Sequence, residues 1–252
     1  DSLPGGTVKR ETKVLSSAEL ARIDPELAER ARIPEVPTRM ARPISRGMLT
    51  DGLVMEACAS VSGPDGKHSG MVRVGRLLNR NFDLIDLMQK AIFGNETYAG
   101  KPVGTVTIFL DDMRVATNVV NGDGTRAIGT RMAWNVYRKV VEEGVPWVDR
   151  AFVVNDWYLS AYEPIRNAAG TIVGVLYVGS LEKPFVDLKR RMQACLLGIL
   201  IGTLFVCGFL AFGISTSVTR PIRSIAAAAR AIGSGDISTR VNEDTGIVEI
   251  NT

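Results

Sequence analysis

The chain has 252 residues, 23% charged and 46% hydrophobic, with a formal net charge of +3. This is an ordinary globular balance, and the charge is too small to argue for nucleic-acid binding. Three cysteines, two of them inside one apolar run, give no disulfide framework. No Cys/His cluster, phosphate-binding loop or Ser/His/Asp order is present to hold a metal or cofactor or to carry catalysis.

Taken in chain order, residues 1–46 are rich in Pro, Arg and Glu, with a weak helical pattern over Ser16 to Arg32 and a Pro34-Glu35-Val36-Pro37 breaker. The sequence opens at Asp1 without a methionine, signal peptide or earlier span. Residues 1–46 are therefore expected to be the remainder of a truncated N-terminal sensor region. An internal repeat follows. Leu53 to Leu77 laid over Trp157 to Leu181, at an offset of 104, matches Ala57 with Ala161, Gly66 with Gly170, Gly70 with Gly174, Val74 with Val178, Gly75 with Gly179 and Leu77 with Leu181. Each copy reads as strand, Gly-containing turn, strand, which is a β-hairpin. Two copies predict either tandem α/β modules or one domain with a duplicated sheet motif. The lone histidine, His68, falls in the turn sequence Pro64-Asp65-Gly66-Lys67-His68 of the first copy, where a solvated loop residue is expected rather than a base or metal ligand.

Between the copies, Phe82 to Phe93 carries Phe82, Ile85, Met88 and Ile92 near one helical face, and Gly94 to Gly104 is turn-like. Strands are predicted at Val106 to Leu110 and Val115 to Val120, then an Asn121-Gly122-Asp123-Gly124 turn. A helix over Thr130 to Glu143 has Met132, Val136 and Val140 at i, i+4 and i+8, and Gly144 stands where a C-cap belongs. Strands Trp147 to Val154, Trp157 to Ile165 and Ile172 to Gly179 complete an antiparallel sheet of five strands in a PAS-like order.

The apolar run Ala194 to Ile214 is long enough to cross a hydrocarbon core of about 30 Å as one helix. Gly198 and Gly202 within it permit close helix packing. Basic residues flank both ends (Lys189 to Arg191 before, Arg220, Arg223 and Arg230 after), so charge does not set the orientation. Beyond it, Thr219-Arg220-Pro221-Ile222-Arg223-Ser224-Ile225, Ala229, Ile232, Gly235-Asp236 and Glu243-Asp244-Thr245-Gly246 resemble a HAMP signal-relay domain. Ile222, Ile225, Ala229 and Ile232 form one stripe suited to a parallel dimeric coiled coil. Pro221 suits a first helical turn. The resemblance implies that residues after the span are cytoplasmic and that a second HAMP helix is cut short.

A second resemblance rests on Arg126-Ala127-Ile128-Gly129-Thr130-Arg131, the run Trp147 to Tyr158, Ala161-Tyr162-Glu163-Pro164-Ile165 and Gly174-Val175-Leu176-Tyr177-Val178-Gly179. These resemble Cache domains of bacterial receptors, of the Cache 3/Cache 2 fusion type found on sensor histidine kinases and methyl-accepting chemoreceptors. The implied fold class is α+β: a PAS-like Cache sensor with an antiparallel sheet and flanking helices, then a transmembrane helix and a HAMP coiled-coil segment. The implied division is 1–46, 47–187 for the sensor, 188–215 for the span and 216–252 for a truncated HAMP domain.

All three Trp and four of five Tyr lie between residues 134 and 177. Strand alternation puts Tyr158, Ser160 and Tyr162 on one face, able to line a pocket, and Leu159, Ala161 and Ile165 on the other, expected to pack the core. Arginine pairs bidentately with carboxylates, so the expected ligand is a small organic anion, a carboxylate. Arg126, Arg131 or Arg150 would pair its charge and Trp147, Tyr158 and Tyr162 bound its apolar part, with Asp156 nearby and an amine-binding aromatic cage as the alternative. The expectation is a homodimeric receptor in a bacterial inner membrane with a periplasmic sensor, no cofactor, and an output that is a histidine kinase or methylation helices. A membrane-anchored enzyme is the competing class.

Overall fold

The computed structural model describes residues 8–63, 68–154 and 156–234. The Pro64 to Lys67 turn, Asn155, Gly235-Asp236 and the Glu243 to Gly246 segment lie outside the described residues. Two compact units are formed, one ending at Pro184 and one beginning at Phe185.

In the first unit, β1 (Val8–Leu15) leads into α1 (Ser17–Ile23) and α2 (Pro25–Ala31). Ser16 and Glu19 form a capping box on α1, while Asp24 caps α2 ahead of Pro25, so two short helices start where the sequence supplies side-chain acceptors. The short strands β2 (Ile33–Pro34) and β3 (Met48–Leu49) pair, and β4 (Gly52–Ser62) and β5 (His68–Leu77) form the first hairpin. The three-stranded order is β1-β4-β5. β1 pairs with β4 along its whole length, from Val8 with Ala59 to Leu15 with Gly52, and residues 8–46 belong to this unit.

Helix α3 (Phe82–Phe93), capped by the Asn81 side chain, is followed by the small hairpin β6 (Thr97–Tyr98) and β7 (Lys101–Pro102), then β8 (Gly104–Leu110) and β9 (Met113–Thr117). After α4 (Trp134–Tyr137) and a π-helical turn over Arg138–Glu142 come β10 (Trp147–Val153), β11 (Asp156–Arg166) and β12 (Ile172–Leu181). The five-stranded antiparallel order β10-β11-β12-β8-β9 puts β8 at the inner side of the fold, and all seven of its residues are buried. One sheet face packs Phe109, Tyr162, Tyr177 and Val175 against Met132, Val136 and Val140. The other packs Val106, Ile108 and Val115 against Ile85, Ile33, Leu49 and Leu53.

The predicted helix over Thr130 to Glu143 is shorter than its apolar spacing implies. Thr130 and Met132 are tied by backbone hydrogen bonds to Arg114 and Asp112, so this stretch runs along the sheet and the helix begins only at Trp134. Alternation on β11 also sorts differently from expectation. Tyr158, Ser160 and Tyr162 are the packed face, whereas Leu159 is 48% exposed and Ala161 is exposed. Only Ile165 of that group joins a core.

The two hairpins share one register. Val54 pairs with Leu77 as Tyr158 pairs with Leu181, and Val61 pairs with Gly70 as Ile165 pairs with Gly174. Each ladder slips at the equivalent place, between Val61 and Ser62 and between Ile165 and Arg166. Bulges are placed features, so a shared one carries the repeat from sequence into backbone geometry. The motif is duplicated as a hairpin in two sheets of one unit.

The second unit is helical. Helix α5 (Lys183–Ile214) passes through a π-helical turn at Ser215–Thr219 into α6 (Arg220–Gly233), and this helix is long and apolar enough to cross a membrane. Ile222, Ile225 and Ile232 of the predicted stripe are exposed.

Candidate functional site

A row of paired residues crosses the inner face of the five-stranded sheet: Trp147, Tyr162, Tyr177, Thr107 and Thr117. Tyr162 and Tyr177 are ring neighbours at 4.7 Å, the Tyr177 hydroxyl meets Thr105 Oγ1 at 3.2 Å, and the Thr107 and Thr117 hydroxyls are 2.6 Å apart. Burial pushes the Tyr158 hydroxyl up to about 12 and the Tyr162 hydroxyl well above its ordinary value, so both are protonated at neutral pH.

Arg114, next to this row on β9, is only 3% exposed. Its guanidinium lies 5.1 Å from the Phe109 ring centre and donates Nη1 to the Thr130 hydroxyl, while its buried Nε has no partner. No carboxylate pairs with it among the described residues. Burial pushes its pKa down, against the electrostatic influence of Tyr162, Tyr177 and Tyr158. A buried charge without a counter-charge costs several kcal/mol. Sequence reasoning passed over Arg114, although a signal existed. It is one charged residue in the apolar strand Met113-Arg114-Val115-Ala116, where alternation turns it to an inner face.

Arg114 and Tyr162 line a cavity of about 230 Å³ with Thr130, Arg131, Met132 and the strap residues Val36 to Met40. The strap crosses tightly. The Val36 N–H donates to Gly129 O at 2.9 Å and the Trp134 N–H to Met40 O at 2.7 Å. Gly129 has φ +80°, and a Cβ there would lie 2.2 Å from Pro34 O, so only glycine fits the crossing. Ion pairs hold both ends. Glu35 accepts from the Arg46 and Gly47 N–H groups, the Ser45 hydroxyl and Arg131 Nη1. Burial acts to raise the Glu35 pKa, but these donors outweigh it and bring it down to about 2. At the other end Arg42 reaches Asp111 at 2.6 Å, Asp112 at 3.0 Å and the Tyr137 hydroxyl at 3.1 Å.

The three arginines expected to meet the ligand are placed apart. Arg126 makes a two-pronged pair with Asp86 at 2.9 and 2.7 Å, stacks over Phe82 at 4.6 Å and borders a shallow surface depression. Arg150 pairs with Glu182 at 2.7 Å and stacks over Trp157 at 4.2 Å, on the exposed side. Arg131 does line the cavity, but its charge is met by Asp112 at 2.7 Å and Glu35 at 3.0 Å. Trp147 packs beside Tyr162, and its buried Nε1 has no partner among the described residues. Asp156 pairs with Lys101 at 2.6 Å and, with Tyr158, lines an adjoining cavity of about 260 Å³ that shares Asn121, Val153 and Val154 with the first.

A five-stranded antiparallel sheet with flanking helices, continued in sequence by an apolar helix long enough to span a bilayer, is the plan of the PAS-like class. Residues 76–192 match the family model described as single cache domain 3, and residues 213–252 match that of the HAMP domain. The chain thus carries a Cache sensor followed by HAMP, with the membrane helix between them, and its sensor is extracellular. Among solved structures it is similar to the periplasmic domain of Vibrio cholerae LuxQ, at 12% identity and TM-score 0.35, covering 66% of this chain and 61% of that one. The extracellular domain of the "putative histidine kinase rpHK1S-Z16" is similar at 13% identity and TM-score 0.30, covering 53% of this chain and 49% of that one. The chain therefore spans less than two thirds of either structure's length. No curated protein matches it.

Proposed function

We propose that this chain is the sensing and relay portion of a homodimeric receptor of a bacterial inner membrane, and that its Cache domain binds a short organic carboxylate in the periplasm. The observation that carries the reading is the buried Arg114 guanidinium, which faces tyrosines and, among the described residues, no carboxylate. A carboxylate there would accept from Arg114 while Tyr162 and Met132 bounded its apolar part. The cavity volume of about 230 Å³ restricts the ligand to on the order of ten heavy atoms. Binding would shift β11 and β12, which lead directly into α5, and the membrane helix would hand the shift to HAMP and a histidine kinase output.

Each charge-assisted hydrogen bond is worth about 1.5–3 kcal/mol, so loss of Arg114 should weaken binding roughly tenfold or more. The test is a thermal-shift screen of the chain in lipid nanodiscs against short mono- and dicarboxylates and amines. Ligand at about 100 times Kd stabilises by about 2.7 kcal/mol, a readable shift. Stabilisation by carboxylates that disappears in Arg114→Met supports the assignment; stabilisation by amines alone overturns it.

A further inference from the structure

The shared register has a chemical corollary on the first hairpin. The residues of the second hairpin on the sensor's inner face are Tyr158, Ser160, Tyr162 and Tyr177. Their positional equivalents are Val54, Glu56, Cys58 and Arg73. That face of the small sheet is covered by α1 and α2, and between them lies a cavity of about 430 Å³. Its floor is aliphatic: Leu20, Leu27, Val54 and Leu77. Its charged wall is built around Glu56, whose side chain is 5% exposed and is met by Lys13 at 2.8 Å, Arg73 Nε at 3.0 Å and Cys58 Sγ at 3.1 Å. Two cations on one carboxylate leave the wall positive. Arg22 in the last turn of α1 adds a third cation, and Glu19, hydrogen-bonded to Ser16 in the capping box and held below the usual carboxylate range by those bonds with Arg22 and Lys13 nearby, is the second acid of the lining, so three cations face two carboxylates and the wall keeps a positive balance.

We propose that this cavity is a second binding site, separate from the Arg114 cavity, for an aliphatic carboxylate of medium length. An alkyl chain would lie on the leucine floor and its carboxylate would sit among Arg22, Arg73 and Lys13. The larger volume and the leucine floor set it apart from the Arg114 cavity and select a longer chain. Gly75 stands opposite Glu56 as Gly179 stands opposite Ser160, so each hairpin lacks a side chain at the same inward position. A Cβ at Gly75 would meet Val54 Cγ1 at 3.4 Å and the Met55 carbonyl at 3.9 Å, both ordinary contacts, so a side chain can start there, and a leucine would extend into the cavity that Gly75 lines.

The experiment uses hexanoate and a diazirine-bearing hexanoate with the full chain in nanodiscs, and locates the photolabel by peptide mapping. Labelling within residues 15–27 and 73–77 is expected, competed by hexanoate and not by hexylammonium. It should fall at least tenfold in Gly75→Leu and severalfold in Arg22→Gln, an exposed substitution that tests the charge without touching the floor. Retention of the label in both variants overturns the proposal, as does labelling confined to the Arg114 cavity or competition by hexylammonium as strong as by hexanoate. Short-carboxylate stabilisation through Arg114 should survive Gly75→Leu, so failure at either site is read separately.

Discussion

Arg114 illustrates how a residue can serve a site at the expense of the free fold. Replacing even a buried ion pair by apolar side chains of similar volume is often neutral or stabilising by about 1–4 kcal/mol, and a buried charge without a counter-charge has less attraction to lose. Arg114→Met should therefore raise or leave unchanged the unfolding temperature of the free chain, while removing the carboxylate-dependent rise; calorimetry with and without ligand separates the two. Arg126→Gln and Arg150→Gln should leave affinity within about twofold, because each arginine is committed to its own carboxylate, and surface pairs are worth about 0–1 kcal/mol. Tyr158→Phe should cost less than Arg114→Met in the same titration. At this scale the sequence disclosed residue types and their strand faces but not ion-pair partners. Asp86, Asp112 and Glu182 lie 40, 19 and 32 positions from the arginines they occupy, and no local pattern links them.

The strap from Glu35 to Arg46 has no regular structure, yet two ion-pair groups and a glycine crossing fix it over the Arg114 cavity. Its anchoring is pH-dependent in a defined sense. The folded-state pKa of Glu35 lies near 2, below the ordinary 4.5, so its contribution is complete above about 4.5 and is lost as pH falls through about 2. Amide exchange at Val36 and Trp134, corrected for intrinsic rate, should accelerate across that window in the native chain and already be fast at neutral pH in Glu35→Gln. Protection that is unaltered by the substitution would remove Glu35 from the strap's anchoring. Hairpins, the span and α3 were legible because period and turn residues are local signals. Of the strap, the local sequence shows only a Pro-rich breaker, since its order comes from contacts about 70 to 96 positions distant.

Across the whole molecule the transmembrane sensor plan follows from hydropathy and two sets of motifs, and the family matches at 76–192 and 213–252 agree with it. The exposed stripe Ile222, Ile225 and Ile232, with Gly198 and Gly202 in the span, is the surface on which the proposed parallel homodimer would pack. Single cysteines placed along Leu196 to Phe212, in a background without Cys195 and Cys207, should form disulfides with helical periodicity; a flat or absent pattern would count against the homodimer. Where α5 meets α6 the helix does not break. The Arg220 N–H reaches back five residues to Ser215 O, and Pro221 has no N–H to give. One residue of an α-helix subtends about 100°, so the surplus residue of that π turn sets the angular phase of the isoleucine stripe relative to the membrane helix. Deleting one residue from Ser215 to Thr219 should reset that phase without shortening the span, locking the relay in one output whatever the sensor has bound.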